Sequence, residues 1–251
     1  MIKFYLKIQN NMLVTNLLYI IVSIILMTNV IIRIIPQRFI KVSKAISEAP
    51  ISNKVPSELY MYCDVYLLIL FIILIFFTLG IDFNNSMEDI ALAVGGSKTN
   101  KLMVRKLISI LTVYLCLYII SFLNIYFLYK KLLPSNTILL PVQEVLLYSF
   151  VTNMFIISLS LFILFVSKDI AISTSLITAY YLIEEALWRC KITQTNGILG
   201  HIYQYYDYGK GGLLKVKMIY MGISIILLLL TYKISQRKTN YSIFSRLRRL
   251  S

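Results

Sequence analysis

The chain is short of the residues on which soluble proteins and metal enzymes depend. Charged residues make up 14% of its 251 positions, where a soluble domain carries roughly a quarter. A soluble globular enzyme is excluded for want of polar surface. A disordered chain is excluded by the opposite surplus, since 59% of the residues are hydrophobic. His201 is the single histidine, so a zinc site built on histidines is excluded and no metal site is expected. The three cysteines, Cys63, Cys116 and Cys190, are odd in number and lack ligand spacing, which implies no disulfide framework. Proline is confined to Pro36, Pro50, Pro56, Pro134 and Pro141, all between the long apolar stretches.

Those stretches are the dominant feature. Between successive ionisable residues lie the charge-free segments 8–32, 65–81, 107–129, 145–167, 170–183 and 218–232. About 20 apolar residues span the hydrocarbon core of a bilayer as a helix. Four segments meet that length directly. The fifth extends through Glu184 and Glu185 to Trp188, and the two short ones, fifth and sixth, need flanking charges that reach the headgroups. Without internal proline each segment can be an unbroken helix, satisfying its backbone groups without water. A membrane β-barrel would alternate apolar and polar residues, and the run from Tyr66 to Phe77 shows no such alternation. The expectation is an all-α integral membrane domain over 1–251. Its six spans fall at about 12–34, 62–82, 106–129, 145–167, 170–188 and 217–233, with five as the fallback.

The first apolar stretch is too long for a cleaved signal peptide, and no small-residue cleavage site follows it. Met1, Phe4, Tyr5 and Ile8 share one helical face opposite Lys3 and Lys7. That pattern predicts a helix lying in the membrane surface, or else the frayed start of the first span. Basic residues divide almost evenly between the two sides of a six-span chain, so their total does not orient it. Their concentration does. Lys233, Arg237, Lys238, Arg246, Arg248 and Arg249 follow the last span with no acidic residue among them. An anionic cytoplasmic leaflet attracts such a tail by about 1 kcal/mol per basic residue. Both termini, including the tail at 234–251, are therefore expected in the cytoplasm, and nucleic-acid binding is not expected.

Residues 82–106 carry the most specific local pattern. Ser86-Met87-Glu88-Asp89 fits a helix-capping start, with both acids favoured by the helix dipole. Met87, Ile90, Ala91 and Val94 then form one apolar stripe, and Gly95-Gly96 stops the helix. Ser97 or Thr99 caps the next helix, which runs through Lys98, Lys101, Arg105 and Lys106 into the third span. This segment reads either as an interfacial loop whose lysines snorkel or as a coupling helix docking into a partner.

On the run from Glu88 to Lys106 and the six-span layout, the chain resembles the ABC-2 family of transporter permeases. It departs from the family pattern at Gly95-Gly96, where a proline-containing turn is common, and at Arg105, where glycine is common. The resemblance implies a permease subunit of an ATP-driven exporter, acting as a dimer with an identical or homologous permease. Two copies of a separate ATPase, which bind the ATP and magnesium, would contact residues 86–101 and drive transport. The chain would hold no cofactor and no catalytic residue of its own. Ala93-Val-Gly-Gly-Ser-Lys-Thr99 lacks the order of a phosphate-binding loop. The expected setting is the plasma membrane of a bacterium, and the cargo class peptides, toxins or other amphipathic molecules.

Glu184 and Glu185 form an acidic pair in the fifth span. They read either as interfacially solvated or as lining the translocation path. Residues 198–208, with Tyr203, Tyr205, Tyr206 and Tyr208, are expected at the membrane boundary as short re-entrant or surface helices. Glu184-Glu-Ala-Leu-Trp-Arg189 also resembles the first motif of intramembrane CAAX-type and bacteriocin-processing proteases, whose later histidine motifs fail around His201. A non-transporting membrane immunity protein is the remaining alternative.

Overall fold

The computed structural model describes residues 19, 20, 23, 60–80, 83, 99–132, 141–189 and 213–235, with side chains undescribed at 60–62, 99–106, 128, 129, 131, 132, 185, 188, 189 and 213. The N-terminal surface helix, nearly all of the first span, residues 86–98, the tyrosine-rich stretch and the basic tail from 236 onward lie outside them. Apart from Pro141, Lys168 and Asp169, every described residue is helical. Among the described residues, four helices are long and apolar enough to cross a membrane, over Cys63–Gly80, Leu107–Phe127, Val142–Ser167 and Leu214–Ser235. A shorter apolar helix covers Ile170–Glu184.

Helix α1 occupies residues 60–80. It opens with wider π-helical turns at Tyr60–Tyr66, tightens to α-helix over Leu67–Ile75 and closes with π-helical Phe76–Gly80. Helix α2 runs unbroken over Thr99–Leu132, 34 residues or about 51 Å. Its apolar window, Leu107–Phe127, accounts for about 31 Å of that, close to the hydrocarbon thickness. Helices α3, Val142–Ser167, and α4, Ile170–Arg189, are joined by two residues. Helix α5 spans Leu213–Ser235.

The two-residue joint is chemically specified. Lys168 takes a left-handed conformation (φ 53°) and its N–H returns to the Leu164 carbonyl at 2.8 Å, closing α3. Asp169 then caps α4, its Oδ1 accepting from the N–H groups of Ala171 and Ile172 at 2.8 and 3.1 Å. Ser167 and Ser173 share a hydroxyl–hydroxyl bond of 2.8 Å across the joint.

Helix α3 is the centre of the bundle, packed against α5, α4 and the start of α1. Helix α1 also meets α2, where Phe71 stacks on Tyr114 with ring centroids 4.0 Å apart. Along α2 the rings of Tyr114, Tyr118, Phe122 and Tyr126 recur every fourth residue, making a continuous buried stripe. At the other end of α1, a Cβ on Gly80 would lie 2.5 Å from Ile170 Cγ1, so glycine is what lets α1 approach the start of α4. Hydroxyls buried in this apolar setting mostly bond the carbonyl one turn back, as Ser158 does to Met154 and Ser224 to Tyr220.

Candidate functional site

All five helices send polar side chains to one buried cluster. Its charged members are Asp64 of α1 (3% exposed), Lys217 of α5 (2%) and Glu184 of α4 (0%). Helix α3 supplies Ser149, Thr152 and Asn153, and α2 the hydroxyls of Tyr114 and Tyr118.

Asp64 lies in the π-helical turns of α1. Its Oδ1 accepts from Ser149 Oγ and from Asn153 Nδ2, each at 2.5 Å. Both donors are themselves held in place. Tyr118 donates to Ser149 Oγ at 2.5 Å, Tyr114 donates to Asn153 Oδ1, and Asn153 Nδ2 also reaches the Ser149 carbonyl at 2.8 Å. The geometry follows from spacing. Ser149 and Asn153 stand four apart on α3, Tyr114 and Tyr118 four apart on α2, so two facing helices present two donors to two acceptors in register. The chain Tyr118 to Ser149 to Asp64 is a directed hydrogen-bond relay that ends on a carboxylate.

On the other side of α3, Lys217 Nζ donates to Thr152 Oγ1 at 2.5 Å. Thr152 Oγ1 donates in turn to the Tyr148 carbonyl at 3.1 Å. Asp64 and Glu184 both act electrostatically on the Lys217 ammonium, so one cation is shared by two acids from different helices. Glu184 Oε1 accepts from the Tyr180 hydroxyl at 2.8 Å. Tyr180 is bonded in turn to Tyr220 of α5, whose ring meets Phe155 of α3 edge-on at 4.8 Å. A buried charge is tolerated only when paired and hydrogen-bonded, and this cluster supplies both. Intramembrane ionisable groups are a functional-site signal in their own right.

The site expected from sequence and this cluster overlap at one residue. Glu184 belongs to it and has no exposed surface. The side chain of its neighbour Glu185 lies outside the described residues. Of the expected ATPase-contact residues, Ser86, Met87, Glu88, Asp89, Ile90, Val94, Gly95, Gly96, Ser97 and Lys98 lie outside them. Lys101 is on the first turn of α2 by its backbone alone. Glu184 and Arg189, the ends of the protease-like motif, both stand on α4, and Glu184 is engaged as above. Among the described residues no group of three or more His, Cys, Asp or Glu is placed to hold a metal ion.

Asp64 and Lys217 were not expected here, because each marks the end of a charge-free segment. The sixth segment was expected to reach the headgroups through flanking charges; Lys217 instead turns inward to Thr152. The signal was present on α5. Lys217, Tyr220, Ser224 and Thr231, at spacings of three, four and seven, form a single buried stripe.

No family model, curated protein or solved structure matches the chain.

Proposed function

We propose that the chain is the permease subunit of an ATP-driven exporter of the ABC-2 kind. It would be driven by two copies of a separate ATPase, paired with a second permease, and placed in a bacterial plasma membrane with both termini in the cytoplasm. The observation that carries this reading is helix α2. It starts at Thr99 and continues without interruption through the apolar window. Eight residues, about 12 Å of helix, precede Leu107 and bear Lys101, Arg105 and Lys106. A rigid rod of this kind, following the segment at 86–98 in sequence, would pass a push from an external motor into the bundle as rigid-body motion. The aromatic stripe that locks α2 to α1 carries the motion onward to Asp64. Glu88, Asp89, Lys98 and Lys101 set the choice of motor by charge complementarity, and peptides or other amphipathic molecules are the cargo.

The test is charge reversal at Glu88 and Asp89 in the full-length chain, co-expressed with an ATPase that supports its transport. Transport and co-purification are expected to fail while the permease still folds. Transport at the wild-type rate, or labelling of a cysteine at position 90 from outside the cell, would remove the lever and the reading with it.

A further inference from the structure

Ionisable groups from three helices converge at the cluster's centre, and one buried hydroxyl beside them is unsatisfied. Among the described residues, the Tyr181 hydroxyl of α4 is buried without a hydrogen-bond partner. It lies within the electrostatic reach of Asp64. Burying a hydroxyl with nothing to bond is unfavourable, and in a polar pocket the usual remedy is a water molecule with several polar neighbours. The polar group that acts on Tyr181 is the Asp64 carboxylate, itself held by Ser149 and Asn153.

The titratable groups around this point are known for each described helix. Helix α1 brings Cys63 beside Asp64, and α2 brings Tyr114 and Tyr118. Helix α4 brings Tyr180, Tyr181 and Glu184, and α5 brings Lys217 and Tyr220. Helix α3 contributes hydroxyls and an amide to the same point. Because both carboxylates act on the one ammonium, a proton gained by either changes the charge that Lys217 faces.

We propose that Asp64, Glu184 and Lys217 form a proton-exchange centre inside the membrane, with the Tyr181 hydroxyl as its water-binding arm. In uptake, a proton carried on water passes to a carboxylate oxygen, one O–H bond forms, and neutral water is left; release is the reverse. The inference does not require the ATPase or the export reading, and its test uses neither.

The experiment is infrared difference spectroscopy of the full-length protein in lipid nanodiscs, titrated between acid and alkaline buffers in light and heavy water. A carbonyl stretch of a buried protonated carboxyl is expected to appear with acid, shift in heavy water, and vanish in Asp64→Asn or Glu184→Gln. Lys217→Met is expected to move its midpoint by at least about one pH unit, tenfold in proton concentration. Should the carboxyl variants fail to fold, isotope-labelled Asp and Glu in the wild type identify the band. Tyr181→Phe, which removes one oxygen and no packing, is expected to fold and to displace the midpoint. The proposal is overturned if no carboxyl band titrates, if the band follows sodium rather than proton concentration, or if Tyr181→Phe leaves the midpoint where it was.

Discussion

Helices α3 and α5 pack against each other and are similarly apolar, yet the bundle uses them in opposite ways. Within their apolar windows 67% of α3 is buried and only 22% of α5. Helix α3 is enclosed by neighbours and keeps polar residues on several sides, with Asn153 facing Asp64 and Thr152 facing Lys217. Helix α5 buries one stripe, and that stripe is its polar one; the outward face carries Met218, Ile219, Ile225, Ile226, Leu229 and Leu230. A helix on the rim of a soluble protein would show the reverse, apolar inward and polar outward. In lipid the outer face has to be greasy, so the few polar residues of a rim helix point to whatever the bundle encloses.

This contrast can be broken most forcefully at the shared ammonium. Lys217→Leu alone is expected to lower stability by about 3–5 kcal/mol, since it strands both buried carboxylates. Asp64→Leu alone leaves Lys217 with Glu184 and is expected to cost about 1–3 kcal/mol through the unmet Ser149 and Asn153 donors. The double variant is expected to cost less than the two added together, read by unfolding in mixed micelles. Full additivity would mean that Asp64 and Lys217 do not sense one another. Gly80→Val tests the apolar contact at the far end of α1. A Cβ at position 80 would lie 2.5 Å from Ile170 Cγ1 and 3.0 Å from its Cδ1, so Ile170 must shift, and a loss of about 1–3 kcal/mol is expected by the same assay.

Removing a single hydroxyl should matter less. Tyr114→Phe keeps the stack on Phe71 and deletes the bond to Asn153, for an expected loss of about 0.6–1.7 kcal/mol, the range of hydrogen bonds between membrane helices. Asp169→Ala should cost about 1 kcal/mol by uncapping α4. On the outer face, Leu229→Ala is expected to stay within about 0.5 kcal/mol. A large effect there would show that α5 has a protein rather than a lipid neighbour on that side.

The helices were legible because a charge-free run of about 20 residues has few other physical outcomes. The break between α3 and α4 was legible too, as the adjacent Lys168 and Asp169 interrupting two apolar runs. The left-handed turn at Lys168 was not, since lysine carries no preference for it. The cluster stayed largely hidden for a simpler reason. Counting runs between charges places every charge at an end, and an end suggests an interface. Asp64 and Lys217 sit at such ends, yet each belongs to a helix that starts before it, at Tyr60 and Leu213. On α5 the helical face separates these cases, since Lys217 shares its buried stripe with Tyr220, Ser224 and Thr231. The π-helical turns that hold Asp64, packed against α3, have no sequence signature.

The two-residue joint at Lys168 and Asp169 has a consequence for biogenesis. With no slack between them, α3 and α4 must enter the bilayer as a paired hairpin, the second limb sheltered by the first. Helix α4 alone, with a short apolar run ending in Glu184, is a poor candidate for independent insertion. Nascent chains cut just after Arg189 are thus expected to integrate both limbs or neither, and lengthening the joint with a flexible spacer should let the second slip out.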